Sequence, residues 1–205
     1  MKRNCSIDNK ADATSVVGRK RTRKLTELCH IIPGRHIIES DHNRNRKGVP
    51  YLTGPSDFGL LQATASRWTE HPDAMCRPLD VLVVVKGAGV ANINFAPDEP
   101  ACIGRQLMAV RFKKDVADAH YIYFALASLK ARLKQEALGA TVPGLSIEHL
   151  EDLDVPALPL DEQRRVAAFL NKQFVEIEKA RIAARLQVAE LELLPRKLLA
   201  QVFDV

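Results

Sequence analysis

The sequence predicts a mixed α/β (α+β) domain followed by a long C-terminal helix of coiled-coil type. Three observations carry this. Residues 25–112 are short apolar runs separated by Gly and Pro turns, the pattern of strands. Residues 116–138 switch to helical period. Beyond residue 159, apolar residues recur at Val166, Leu170, Phe174, Ile177, Ala184, Val188 and Leu191, in steps of 4, 4, 3, 7, 4 and 3. That spacing is close to the coiled-coil repeat.

The division that follows is a basic arm over 1–24, a domain over 25–158 and a helical region over 159–205. In the arm, eight residues are Lys or Arg (Lys2, Arg3, Lys10, Arg19, Lys20, Arg21, Arg23, Lys24), with little apolar material to bury. It reads as a mobile, phosphate-seeking tail or as an idle terminus. In the domain, Ile31-Ile32 and His36-Ile37-Ile38 flank the turn pair Pro33-Gly34. Asp41 to Gly48 has no apolar residue and predicts an exposed loop. Val49 to Thr53 predicts a strand, closed by the turn Gly54-Pro55-Ser56-Asp57. Val81 to Val85 is continuously apolar and β-branched, so both of its faces should be covered. Leu107 to Phe112 is a further strand.

The helix over 116–138 places Ile122, Ala125, Leu129 and Leu133 on one face and ends at Gly139 as a left-handed stop. Ser146 caps a short helix through Leu150, and the prolines of Val155 to Pro159 require extended chain. The long helix is expected to be capped by Asp161 and to run to about Leu194, where Pro195 kinks or breaks it. Such a helix would be about 50 Å long, more than the domain needs. It must cover its stripe with a second helix, from another copy or another protein, unless it folds back on its own domain. Ala180, Ala183 and Ala184 favour close approach of a partner helix.

Composition narrows the function. The 205 residues carry a formal charge of +5, which permits nucleic acid as a partner without requiring it. No apolar run reaches the ~18 residues of a membrane span, and Met1 to Lys10 lacks the apolar core of a secretory signal. The four cysteines, Cys5, Cys29, Cys76 and Cys102, are scattered, so neither a zinc ribbon nor a disulfide scaffold is expected, and the compartment should be a reducing cytoplasm.

Catalytic signatures fail when tested. Lys86-Gly87-Ala88-Gly89-Val90-Ala91-Asn92 starts like a dinucleotide loop, but Asn92 stands at the third glycine and no helix follows. There is no phosphate-binding P-loop and no Pro-Pro-aromatic signature of an amino-methyltransferase. Asp98-Glu99 lacks the rest of a nuclease cluster. His30, His36 and His42 are spaced by six, which suits no shared metal. His149, Trp68 and Cys102 read as structural residues, although Trp68 could stack on a base.

Several segments together carry a resemblance. They are Gly48-Val49-Pro50-Tyr51-Leu52-Thr53-Gly54-Pro55-Ser56-Asp57-Phe58, Cys76 to Gly89, Ile103 to Val110, Gly139 to Ser146 and, most telling, Val155-Pro156-Ala157-Leu158-Pro159-Leu160-Asp161-Glu162-Gln163-Arg164-Arg165-Val166. In this order the chain resembles the DNA-specificity subunit of type I restriction–modification systems, over roughly residues 25–203. Leu79 stands where a glycine is common in that family. Members usually hold two target recognition domains and two long helices, so this sequence resembles a half-length form with one of each.

The resemblance implies a target recognition domain with a twisted sheet and loops that lie along DNA grooves. It also implies helices that pair antiparallel as a spacer. The chain would then be a non-catalytic recognition subunit directing methyltransferase and restriction subunits to a bipartite double-stranded DNA target. It would hold no cofactor of its own; S-adenosylmethionine, ATP and magnesium belong to the partner subunits. A half-length chain would regain two domains as a homodimer or by pairing with another half. The competing reading is a non-specific DNA-binding scaffold or regulator, or a truncated fragment.

Recognition residues vary with the target in this family, so residue type and position select the candidates. Arg35, Arg44, Arg46 and Lys47 on exposed segments suit phosphates. Asn43, Asn45, Arg105 and Gln106 suit base edges. Tyr51, Thr53 and Lys86 lie where the resemblance is densest, with core packing or a turn charge as the plain alternative.

Overall fold

In the computed structural model, residues 21–139 and 143–203 are described. Strand β1 (Thr22–Lys24) leads through a single helical turn, α1 (Leu25–Leu28), into β2 (Cys29–Pro33). Then come β3 (His42–Asn43), β4 (Val49–Leu52), β5 (Arg67–Thr69), β6 (Met75–Cys76), β7 (Val81–Val84), β8 (Ile93–Phe95), β9 (Ala101–Ile103) and β10 (Leu107–Phe112). The chain ends in α2 (Ala119–Ser128), α3 (Lys130–Gly139), α4 (Ile147–Glu151), β11 (Asp154–Pro156) and α5 (Leu160–Phe203). The mixed α/β domain and the long terminal helix are both present.

Two sheets lie face to face. One has four strands in the order β2-β10-β7-β8, all antiparallel; the other has five, β3-β5-β4-β9-β6, with β4 and β9 parallel. Side chains alternate along a strand. Leu82 and Val84 of β7 therefore meet Leu52 and Ile103 of the five-stranded sheet, together with Leu107 and Ala109. Val81 and Val83 face the other way, into a core with Ile122, Ala125 and Leu126 of α2. A strand between a sheet and a helical layer can be apolar at every position, which explains why β7 is buried throughout.

Several expectations are corrected. The domain starts before residue 25, because β1 pairs antiparallel with β11 across Thr22–Pro156 and Lys24–Asp154. The rest of the predicted arm, residues 1–20, lies outside the described residues. Pro33-Gly34 does not reverse the chain. Gly34 N–H donates to Leu107 O at 2.9 Å, Arg35 N–H to Ile103 O at 3.0 Å, and Arg35 bridges Gly104, carrying the chain from the first sheet to the second. A Cβ at Gly34 would collide with the Gly104 carbonyl, so this crossing needs glycine. Asp41 to Gly48 is not all loop, because His42–Asn43 pair with β5.

The helix expected over 116–138 is two helices that break at Leu129, whose N–H returns to Leu126 O at 3.0 Å. The apolar periodicity survives the break: Ile122, Ala125 and Leu133 are all buried. Gly139 is the last residue of α3 and is not a left-handed stop. Ser146 does cap α4, its N–H donating to His149 Nδ1 at 3.0 Å.

Helix α5 starts at Leu160, so Asp161 lies in its first turn and is not the cap, and its 44 residues run through Pro195. A proline removes one helical hydrogen bond, and neighbouring turns can carry the helix past it. The first turns of α5 fold back on the domain. Gln163 and Ala167 are buried, Val166 joins the core of α2, and Phe174 meets Phe124 with ring centroids 5.2 Å apart. Gln163 is the fastener. Its Oε1 accepts from Asp118 N–H at 3.0 Å, and its Nε2 donates to Val116 O at 3.0 Å and Leu158 O at 2.9 Å. Val166 therefore packs on this chain's own domain. Ile177, Val188 and Leu191 project into solvent.

Candidate nucleic-acid interface

The five-stranded sheet gathers cationic side chains at both ends of β4. At its start is the turn between β3 and β4. Asn43 holds this turn: its Oδ1 accepts from Asn45 N–H at 3.0 Å and Lys47 N–H at 3.1 Å, and its Nδ2 donates to Lys47 O at 2.9 Å. The amide is spent on the turn, so Asn43 is a positioning residue there. Arg44, Asn45, Arg46 and Lys47 stand exposed on the turn. Arg46 adopts a left-handed backbone, φ 59°, and its guanidinium lies 5.5 Å from the centroid of Trp68.

At the other end of β4 lie Thr53 and the turn joining β9 to β10. The Arg35–Gly104 bridge brings exposed Arg35 beside exposed Arg105. Gln106 is half-buried with its amide beside Gly54, where an added Cβ would strike its Oε1. Thr53 donates its N–H (2.7 Å) and hydroxyl (2.9 Å) to Asp57 Oδ2, so its hydroxyl proton is committed within the fold. Asp57 is only 4% exposed and also accepts from Ser66 Oγ at 2.7 Å. The carboxylate thus ties the 53–57 turn to the segment leading into β5. Lys86 is exposed at the end of β7.

Tyr51 is different in kind. It is 4% exposed and packs with Ile37 and Cys102. Burial raises the pKa of its phenol. It serves as the floor of the face, with the His42 ring 5.6 Å away. Arg67, its cross-strand partner, lies 3.3 Å from His42 Nδ1 through Nη1. Sequence reading passed over Arg67 and His42. The only available signal was that short strands bracket an exposed basic turn, which does not say which strand residues pair.

Some basic residues of β1, α3 and α5 form ion pairs, such as Arg132–Glu136 at 2.8 Å and Lys179–Glu176 at 2.9 Å. Arg35, Arg44, Arg46, Lys47, Arg67, Lys86 and Arg105 form none among the described residues. The four residues of β4 span about 13 Å, comparable with the ~12 Å width of a DNA major groove. Cations on the turns at both ends of such a strand suit the phosphates that border a groove.

The chemistry of the cysteines points away from reaction. Cys29, Cys76 and Cys102 are buried, and burial pushes the thiols of Cys29 and Cys76 up to about 12.

Comparisons with known proteins identify the family. The family described as type I restriction modification DNA specificity domain matches residues 19–187. The specificity subunit assigned to the MjaX type I restriction enzyme of Methanocaldococcus jannaschii is 29% identical over 161 residues, covering 74% of this chain and 37% of that protein. The solved HsdS subunit of Thermoanaerobacter tengcongensis has a TM-score of 0.70 at 30% identity, covering 80% of this chain and 39% of that one. A chain from a structure on complex assembly and conformational transition of the type I R-M system has a TM-score of 0.81 at 32% identity, covering 89% and 45%. This chain thus spans less than half the length of these relatives. With both its recognition-type domain and the start of its long helix inside the match, the chain belongs to the type I restriction modification DNA specificity family.

Proposed function

We infer that this chain is a non-catalytic DNA-recognition subunit of a type I restriction–modification complex, in half-length form. The observation that carries the reading is the set of unpaired cations at both ends of β4, on a domain of this family. Arg35, Arg44, Arg46, Lys47, Lys86 and Arg105 engage the duplex. Asn45 and Gln106 are base-edge candidates, and Asn43, Tyr51 and Thr53 hold the surface that carries them. Methylation with S-adenosylmethionine, and ATP- and magnesium-dependent restriction, belong to partner subunits; this chain supplies the address.

Helix α5 supports the second half of the reading. Its exposed apolar side chains, among them Ile177, Val188 and Leu191, suit a second copy lying antiparallel, or another half-length chain. A two-fold symmetric pair would read an interrupted palindrome, because target symmetry mirrors protein symmetry.

The test is methylation sequencing of DNA from cells that co-express the chain with a type I methyltransferase subunit, against that subunit alone. The expected result is adenine methylation at a two-part motif only when the chain is present, and a palindromic motif if the chain pairs with itself. A stable complex that adds no methylation would overturn recognition in favour of a scaffold or a fragment.

A further inference from the structure

We propose that Arg46 is a specificity-determining residue that reads a guanine edge, with Trp68 as its platform and Asn43 as its brace. This rests on the DNA-recognition reading above and assigns one residue of that surface a distinct role. Three independent constraints converge on Arg46. The Asn43 amide closes the turn with three hydrogen bonds to backbone at Asn45 and Lys47. The backbone of Arg46 is left-handed, φ 59°, which side-chain-bearing residues adopt at a cost. Its guanidinium is drawn over the Trp68 ring, 5.5 Å from the centroid. Trp68 is itself fixed, lying opposite both Asn43 and Pro50 in the sheet.

A phosphate contact needs none of this. Charge alone attracts a phosphate, and Arg44 and Lys47 on the same turn already supply it, exposed and, among the described residues, without an aromatic ring under the charge. Strain and stacking are warranted where a planar fork must arrive in one orientation. A guanidinium lying on an aromatic face keeps its in-plane N–H edge free, and two of those donors match guanine O6 and N7. Lysine can supply the charge but not the fork.

The test uses the full chain assembled with its methyltransferase subunit. Randomised duplexes are selected on the complex and the bound fraction is sequenced, for the wild type, Arg46→Ala and Arg46→Lys. Arg46 is exposed, and folding of each variant is checked by circular dichroism. Both variants are expected to lose preference for guanine at a single motif position by roughly 5- to 150-fold, with the other positions unchanged. Arg46→Lys should also keep the wild-type salt dependence of binding. A uniform loss of affinity in Arg46→Ala, restored by Arg46→Lys, would make Arg46 a phosphate contact and overturn the assignment. So would an unchanged motif in both variants. A wild-type complex that selects no motif at all would instead bring down the recognition reading, and this assignment with it.

Discussion

Replacing Gln163 tests the joint between the domain and the long helix. The side chain is 1% exposed and serves three backbone groups: Asp118 N–H, Val116 O and Leu158 O. In Gln163→Ala all three lose their partner in a buried setting. At about 1 kcal/mol per lost hydrogen bond, with a cavity term for the missing side chain, the cost is ~3–4 kcal/mol. That is a large share of the ~5–15 kcal/mol that holds a typical domain. Gln163→Glu keeps the shape but presents an acceptor to two carbonyls. Burial would raise the pKa of the introduced acid in the folded state, so its stability would be best below the ordinary carboxylate range and would fall as pH rises from there through the raised folded-state value. The assay is urea denaturation followed by helical circular dichroism and by the fluorescence of Trp68, the single tryptophan. Loss of the joint should lower the helical transition by the stated amount. A change below ~0.5 kcal/mol in Gln163→Ala would refute the idea that these three hydrogen bonds fasten α5.

Arg111→Met should destabilise the domain by about 3–5 kcal/mol in the same denaturation assay, because it strands Asp80, whose carboxylate is 2% exposed and paired with Arg111 at 2.8 Å. Asp57→Ala should cost ~2 kcal/mol and weaken DNA binding measured by fluorescence anisotropy, since Thr53 N–H, Thr53 Oγ1 and Ser66 Oγ all donate to that carboxylate. In a Cys5→Ser background, a thiol reagent at pH 8 should titrate no cysteine in the native protein and all three in urea, because Cys29, Cys76 and Cys102 are buried and their thiols are held neutral. Val188→Lys combined with Leu191→Lys should leave the domain folded, since both side chains are exposed, and on the self-pairing proposed above should turn a sedimenting dimer into a monomer.

What the sequence showed depended on how local each cause was. Strand β7 was legible because burial on both faces leaves its mark on every residue from Val81 to Val84. The start of α5 was legible because Pro159, Glu162 and Gln163 sit in one short run, and Gln163 now has a physical reason to be there. The crossing at Gly34 was not legible. It depends on Gly104, a residue on a different strand, and Pro-Gly is the same local signal whether the chain turns or passes through. The break at Leu129 was hidden because the apolar face continues across it. Pro195 misled because a proline reports a lost hydrogen bond and does not report whether the flanking turns hold.

The candidate interface divides the same way. Exposed Arg and Lys on a turn without apolar residues could be found by composition, and Arg35, Arg44, Arg46, Lys47 and Arg105 are all exposed. Which polar residues read and which merely hold could not, because that depends on hydrogen bonds closed across the fold. Asn43 and Thr53 have the right chemistry to meet a base, and the structure spends both on backbone or on Asp57.

That separation of holding from reading has a consequence for the helix. The residues of α5 that face the domain, Gln163, Val166 and Ala167, fix the direction in which it leaves. From Val175 to Phe203 it then runs about 40 Å with Ile177, Val188, Leu191, Leu198 and Val202 exposed along one face. Single exposed apolar residues are unremarkable, but a contiguous series on one helix costs free energy until a partner covers it. A second copy, lying antiparallel, would cover the same residues on both chains at once, an isologous contact that closes on itself. Because Gln163 fastens the first turns of the helix to the domain, such a pair would set two copies of the β4 surface apart along the helices, related by the same two-fold axis.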